Sequence, residues 1–249
     1  MFTEDSTIPT ALVTGGTAGI GFACARLLAR EGASVIVTGR DARRGEAAAA
    51  EIAGTVRFVQ ADLSDMESVR SLVQQAGNVD VLVNNAASFP AAASFPAAAT
   101  TDQDLASFER TFDTNVRGAY FLAAGLVPGM IARGNGCIIN VTTMVASKGI
   151  PGASVYSASK AAVESLTRTW AAEFGRHGIR VNSVAPGPTN TEGVVREWGD
   201  ANEELGRALP LGRTADPEEI AHAVLFLASP RSSFITGSTV HVDGGGTAI

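Results

Sequence analysis

Tyr156 and Lys160 stand four positions apart in the run YSASK. On a helix that spacing puts both side chains on one face. A phenol ordinarily titrates near pH ~10, too high for a base at neutral pH. An ammonium beside it stabilises the phenolate and lowers that pKa. Such a pair can pass a proton to or from a substrate oxygen. Taken alone, a tyrosine and a lysine at this spacing are more often a structural pair, so the chemistry needs support from elsewhere in the chain.

The support begins at the other end. TGGTAGIG, from Thr14 to Gly21, follows the apolar run TALVT. Gly15, Gly19 and Gly21 let backbone come close to a ligand, and the helix that follows aims its N-terminus at the same place. Free N–H groups and the helix dipole make a pyrophosphate site. The bland alternative is an ordinary tight turn between a strand and a helix. The spacing G-x-x-x-G-x-G also departs from the usual dinucleotide fingerprint.

The elements that must position these groups alternate. Strands are expected at 10–14, 34–39, 56–61, 79–85, 136–143, 179–186 and 238–243, with helices near 19–31, 41–53, 64–77, 102–133, 154–176 and 216–229. The strands are apolar nearly throughout, as in a parallel sheet covered on both faces. The last helix has its start signal in Asp216 as N-cap, Pro217 at the first position and Glu219 in a capping box. The fold class is therefore α/β, a single-domain, Rossmann-type doubly wound parallel sheet of about seven strands, with helices on both faces. Ligands of such sheets bind outside the carboxyl ends of the strands.

Composition excludes several classes. The 249 residues are 45% hydrophobic and 18% charged, enough apolar content for a core. Lys and Arg total 19 against 25 Asp and Glu, a net charge of −6, which argues against nucleic-acid binding. MFTEDSTIPT lacks the basic start and apolar stretch of a signal peptide, and AYFLAAGLVPGMIA is too short and broken to span a bilayer. Cys24 and Cys137 make no metal spacing and read as reduced core residues of a cytoplasmic protein. No metal is expected.

TGxxxGxG, NNAA at 84–87 and YSASK at 156–160 occur in the order found in the short-chain dehydrogenase/reductase family, which the chain resembles over essentially its whole length. VNSVAPGPTNT (181–191), PLGRTADPEEIA (210–221) and ITGSTVHVDGG (235–245) extend the resemblance. It implies hydride transfer between a nicotinamide cofactor and a carbonyl or secondary alcohol, with Tyr156 as acid/base beside Lys160. It also implies that Asp62 contacts the adenine, and that Asn84 and Ala86 line the adenosine side. Thr14, Gly15, Thr17, Gly19, Ile20, Gly21, Leu63 and Asn85 complete the cofactor set, with Pro186, Gly187, Thr189 and Thr191 toward the carboxamide and phosphates. The family places a serine thirteen residues before the tyrosine to hold the substrate oxygen. Here that position is Thr143, a departure whose methyl narrows the rotamer choice while keeping the hydroxyl. Ser147 is the alternative holder, and Thr142 should face away. Asn115, in FDTNVRG, matches the asparagine whose backbone carbonyl joins a water chain from the lysine; its plainer reading is a helix kink. The resemblance implies a homotetramer built through the helices at 102–133 and 154–176 and the C-terminal strand.

Where NAD binders usually carry an acid for the ribose hydroxyl, the second strand ends in Gly39 and Arg40 follows; the plainer reading is that Arg40 caps or pairs on the surface near Asp41. A guanidinium there suits a 2′-phosphate, so NADP(H) is the expected cofactor, with NAD(H) as the alternative. Arg43 and Arg44 read as solvated helix residues. The resemblance implies a mobile substrate lid at about 188–209, and periodicity is weak from Gly193 to Leu209. SFPAAASFPAAA (88–99) duplicates six residues between a strand and the helix carrying Asn115. It is expected as an inserted loop at the rim of the cleft, with a helical turn at its AAAT end. Phe89 and Phe95, with Val145, are the expected substrate contacts; a surface excursion is the competing reading. Two other functions compete: a 3-oxoacyl-thioester reductase, which Arg176, His177 and Arg180 could help dock to a carrier, and a non-catalytic NADP(H) sensor.

Overall fold

In the computed structural model, residues 9–89 and 99–249 are described. Seven strands form one parallel sheet: β1 (Thr10–Thr14), β2 (Ser34–Gly39), β3 (Val56–Gln60), β4 (Val81–Asn84), β5 (Gly136–Val141), β6 (Ile179–Pro186) and β7 (Thr239–Val242). Their spatial order is β3-β2-β1-β4-β5-β6-β7. The chain runs outward from β1 through β2 to β3, then returns to β4 on the other side of β1. That reversal opens a crevice between the carboxyl ends of β1 and β4, where such sheets hold their ligands.

The helices are α1 (Gly19–Arg30), α2 (Ala42–Glu51), α3 (Met66–Ala76), α4 (Leu105–Phe112), α5 (Ala119–Arg133), α6 (Ser154–Phe174), α7 (Glu192–Trp198), α8 (Asp200–Arg207) and α9 (Pro217–Ala228). Alternate strand residues point to opposite faces, so each strand feeds two cores. On one face Val13 packs with Cys24 and Leu28 of α1 and Ile220 and Val224 of α9. On the other Leu12 packs with Leu72 of α3, Leu122 of α5 and Trp170 of α6. Each fully buried leucine contributes about 1.5–3 kcal/mol. Cys24 and Cys137 are buried and unbonded to one another, and burial pushes their thiols up to about 12 and about 11. Among the described residues no helix is long and apolar enough to cross a membrane.

Several elements differ from the sequence expectation. β5 ends at Val141, so Thr142 and Thr143 stand beyond the strand. The long helix expected at 102–133 is interrupted by a π-helical turn, Asp113–Gly118. A β-carbon on Gly118 would lie 2.3 Å from the Leu63 carbonyl oxygen, so this turn approaches the β3–α3 connection more closely than any side chain permits. The lid region carries two short helices, α7 and α8; Thr191 accepts from the Val194 amide at the start of α7, while α8 starts after Gly199 without a side-chain cap. At α9 the Glu219 carboxylate accepts from the Asp216 amide, as its start signal requires. Most of the SFPAAASFPAAA segment, including Phe95, lies outside the described residues. Beyond it a 3-10 turn spans Thr100–Asp102.

Candidate active site

The glycine turn is held open by Thr14 and Asn85. Thr14 is fully buried, and its hydroxyl accepts from the amides of Asn85 and Ala86, both at 3.0 Å. The Asn85 side chain returns the tie, donating to the carbonyls of Thr14 at 2.9 Å and Gly15 at 3.2 Å. A β-carbon on Gly21 would sit 2.2 Å from the Gly15 carbonyl oxygen, so only glycine lets the turn close over the start of α1. Ala18 at the N-cap contributes no side-chain cap. The first amides of α1 are thus left for an external acceptor, which is the fit a pyrophosphate needs. Thr14 builds this cradle without lining it. Asn84 likewise turns inward, donating to Asn140 Oδ1 at 2.9 Å.

At the outer end of the crevice Arg40 is exposed just past β2. The Asp62 carboxylate is engaged locally, accepting from the Ser64 amide at 2.9 Å and hydroxyl at 2.7 Å, while Leu63 is buried. Arg44 is an exposed residue of α2, as the sequence reading has it, and with Gly19 and Ile20 it also borders the cleft.

From that turn a cavity of about 420 Å³ runs past Asn85 to Thr143, Tyr156 and Lys160, and on to Gly187 and Thr189. Thr143 precedes a 3-10 turn, Met144–Ala146, and its Oγ1 accepts from the Val145 amide at 3.4 Å. The hydroxyl proton is therefore directed elsewhere. The Thr142 hydroxyl donates to the buried Glu164 carboxylate at 3.0 Å, with Val184 O at 3.3 Å, so it is already engaged. Ser147 is exposed past the 3-10 turn. Of the hydroxyls considered from sequence, Thr143 is the one that both lines the cavity and keeps its proton.

Lys160 is buried, and its Nζ donates to the Val141 carbonyl at 2.8 Å, leaving two N–H groups. Nζ lies 5.8 Å from the Tyr156 ring centroid. Burial sets the titration of both groups: it lowers Lys160 to about 8 and raises Tyr156 to about 12. This corrects the expectation that the ammonium leaves Tyr156 below its ordinary value. Removing water from the phenolate outweighs a cation that stands beside the ring and is itself desolvated.

The Asn115 side chain joins two elements. Its amide bonds to both the N–H and the C=O of Ser88 and donates to Ser159 Oγ at 3.0 Å. Ser159 in turn donates to the Tyr156 carbonyl at 2.7 Å. One turn of π-helix thereby ties the exit of β4 to the helix carrying the tyrosine. Phe89 follows Ser88, with its ring centroid 4.8 Å from that of Tyr156. Trp198, at the end of α7, closes on Phe89 at 5.6 Å. Sequence reasoning passed over Trp198 because the lid has no strong periodicity. It passed over Glu164 although this residue repeats the four-residue step from Tyr156 through Lys160.

A family model described as enoyl-(acyl carrier protein) reductase matches residues 15–247. The chain is 38% identical over 251 residues to the cis-4-hydroxycyclohexanecarboxylate dehydrogenase of Sinomonas cyclohexanicum, covering 96% of each. A solved short chain dehydrogenase/reductase family protein superposes with a TM-score of 0.91 at 62% identity, over 97% of this chain and 98% of the other. Another, described as an NAD(P) dependent gluconate 5-dehydrogenase from Beutenbergia cavernae with bound NADP, gives 0.90 at 34% identity over 97% of each chain. The glycine cradle, the Tyr156–Lys160 pair and these matches together place the chain in the short-chain dehydrogenase/reductase family.

Proposed function

We propose that the protein is an NADP(H)-dependent oxidoreductase that interconverts a carbonyl and a secondary alcohol. The observation that carries this reading is the single cavity joining the uncapped start of α1 to Thr143, Tyr156 and Lys160. A bound nicotinamide supplies the site with a hydride donor or acceptor. The protein's own groups manage the oxygen. Thr143 Oγ, accepting from Val145 N, donates its proton to the substrate oxygen and fixes its position. Tyr156, protonated over the neutral range, gives a proton to that oxygen in reduction; in oxidation it is the phenolate form of Tyr156 that takes the alcohol's proton. Lys160 keeps two N–H groups for the cofactor ribose and stabilises the phenolate as it forms. Asn115 positions Tyr156 through Ser159.

Preference for NADP(H) over NAD(H) rests on Arg40 beyond β2, on Gly39 standing at the end of β2 where NAD binders usually carry an acid, and on Arg44 lining the cleft. Thr17, Asp62 and Ala86 complete the adenosine side; Pro186, Gly187, Thr189 and Thr191 face the nicotinamide end. The lid at about 188–209 and Phe89 border the substrate. The assembly is a homotetramer: Leu105, Phe108, Tyr120 and Phe121 stand exposed on α4 and α5, and Phe234 stands exposed before β7. Its residence is the cytoplasm, where the buried Cys24 and Cys137 stay reduced.

The test is a panel of ketones, alcohols and acyl thioesters followed by nicotinamide absorbance with NADPH and with NADH. Turnover of a ketone with NADPH preferred supports the reading. Turnover confined to acyl thioesters favours the carrier-linked reductase that the family model's description suggests. NADPH binding with no turnover, unaffected by Tyr156→Phe, favours a sensor.

A further inference from the structure

Helix α6 holds the exit of β5 at three successive residues. Thr167 Oγ1 accepts from the Asn140 side chain at 2.8 Å, and Lys160 Nζ donates to the Val141 carbonyl at 2.8 Å. The Glu164 carboxylate accepts from the Thr142 hydroxyl at 3.0 Å. As the chain advances from Asn140 to Thr142, its side-chain partner steps back from Thr167 to Glu164. Lys160, Glu164 and Thr167 stand four and three residues apart, on the helix face that carries Tyr156 one turn earlier. The next residue of the exit is Thr143, which lines the cavity with Tyr156.

Glu164 is the tie that stability does not explain. It is buried, and taking a carboxylate out of water costs more than one hydroxyl commonly returns. The Thr142 hydroxyl also has a second acceptor. The Val184 carbonyl of β6 lies 3.3 Å from it and already accepts from the Thr142 amide at 2.8 Å. A carbonyl oxygen has two lone pairs and a hydroxyl one proton, so without Glu164 that proton turns to Val184 and no donor is stranded. With Glu164 present the carboxylate is both the nearer and the stronger acceptor. Glu164 therefore decides whether Thr142 is tied to α6, which carries Tyr156, or to β6 alone.

We infer that Glu164 is a positioning residue, which holds the β5 exit to α6 through Thr142 and so fixes Thr143 relative to Tyr156; this rests on the oxidoreductase reading above. Stability and turnover should then part company in the full chain. Glu164→Met should have a denaturation midpoint equal to or above the parent's, because a buried carboxylate is gone. Its kcat for ketone reduction should fall about 10- to 100-fold, the scale of a small misplacement at a reacting centre, with NADPH binding unchanged. Glu164→Gln keeps a neutral acceptor and should fall between Glu164→Met and the parent. Thr142→Val should lose kcat as Glu164→Met does, and the double variant should lose no more than the larger single loss. Crystal structures of the parent and Glu164→Met give a readout that needs no turnover: the Thr142 hydroxyl should point to Val184 O, with Thr143 shifted from its place beside Tyr156.

An unchanged kcat in Glu164→Met, or single losses that multiply in the double variant, overturns the proposal. A Glu164→Met protein that fails to fold, or that melts earlier with kcat unchanged, assigns Glu164 to stability and overturns it as well. Thr143 unmoved in the variant crystal does the same. If the parent reduces no ketone while Thr143 moves in the Glu164→Met crystal, the oxidoreductase reading fails and the positioning of Thr143 by Glu164 stands.

Discussion

Asn115 grips Ser88 with both ends of its amide: Oδ1 accepts from the Ser88 N–H at 2.7 Å, and Nδ2 donates to the Ser88 carbonyl at 2.9 Å. The same Nδ2 reaches Ser159, which bonds back to the Tyr156 carbonyl. Asn115 is buried, so its loss leaves peptide groups and a hydroxyl without partners, at about 1–3 kcal/mol each. Asn115→Ala should lower the unfolding free energy by ~2–4 kcal/mol in chemical denaturation. It should also reduce kcat more than it raises KM, because Tyr156 loses its tie to the β4 exit. An unchanged denaturation midpoint would show that the clamp carries no stability.

Thr143 offers a sharper comparison. Its Oγ1 accepts from Val145 N, a bond that does not use its proton, and the residue lines the cleft. Thr143→Ala should cost about 100-fold or more in kcat, the scale of losing one donor to a developing oxyanion. Thr143→Ser keeps the donor and should stay within about fivefold of the parent, its main change being greater rotamer freedom. Steady-state kinetics on one ketone with all three proteins decides this, and the reverse ranking would remove Thr143 from the role.

Much of this arrangement was legible in the sequence, and the physical reason is locality. Continuous apolar strands, the glycine turn and the Asp216–Pro217–Glu219 start of α9 are each fixed within a few residues. The π-helical turn at Asp113–Gly118 is different. Its sequence offered only the helix kink read at Asn115, and the close approach of Gly118 to the Leu63 carbonyl exists only once β3 and α5 are packed. Trp198 escaped notice for a related reason: a seven-residue helix has too few turns to show a period. The pKa of Tyr156 went the other way from expectation because spacing along a helix reports proximity to Lys160 and says nothing of how much water burial removes.

Lys160 should make function and stability oppose each other. Its folded pKa is about 8 against an ordinary value of 10.5, so below pH 8 both folded and unfolded forms carry the charge and the burial penalty is fully present. As pH rises from 8 to 10.5 the folded form sheds the proton first, and stability rises relative to a protein lacking the group. Lys160→Met should therefore be more stable than the parent at pH 7, by on the order of 1–3 kcal/mol after the lost bond to Val141 O is discounted. The advantage should shrink by pH 9.5, and turnover should be lost. Denaturant melts at the two pH values measure the gap; a constant gap would contradict the assignment.

Cofactor choice is tested at the outer end of the cleft. A charge-assisted hydrogen bond to phosphate contributes ~1.5–3 kcal/mol, so Arg40→Ala should weaken NADPH binding about 10- to 100-fold while leaving NADH binding nearly untouched. Adding Arg44→Ala should weaken NADPH further, since Arg44 lines the cleft beside Gly19. Dissociation constants from the fluorescence of bound nucleotide give the answer directly. An unchanged NADPH to NADH ratio in the double variant would place the 2′-phosphate elsewhere.

The central claim is that Tyr156 exchanges a proton with the substrate oxygen under the influence of Lys160, and the pH profile of ketone reduction by the parent and by Tyr156→Phe tests it most directly. Tyr156 holds its proton across the neutral range and Lys160 loses its own near pH 8. The parent should reduce a ketone at a rate that is flat at lower pH and falls as pH rises through about 8. Tyr156→Phe should lose at least about 100-fold at every pH while still binding NADPH. Retention of the parent's rate and profile by Tyr156→Phe would contradict the account.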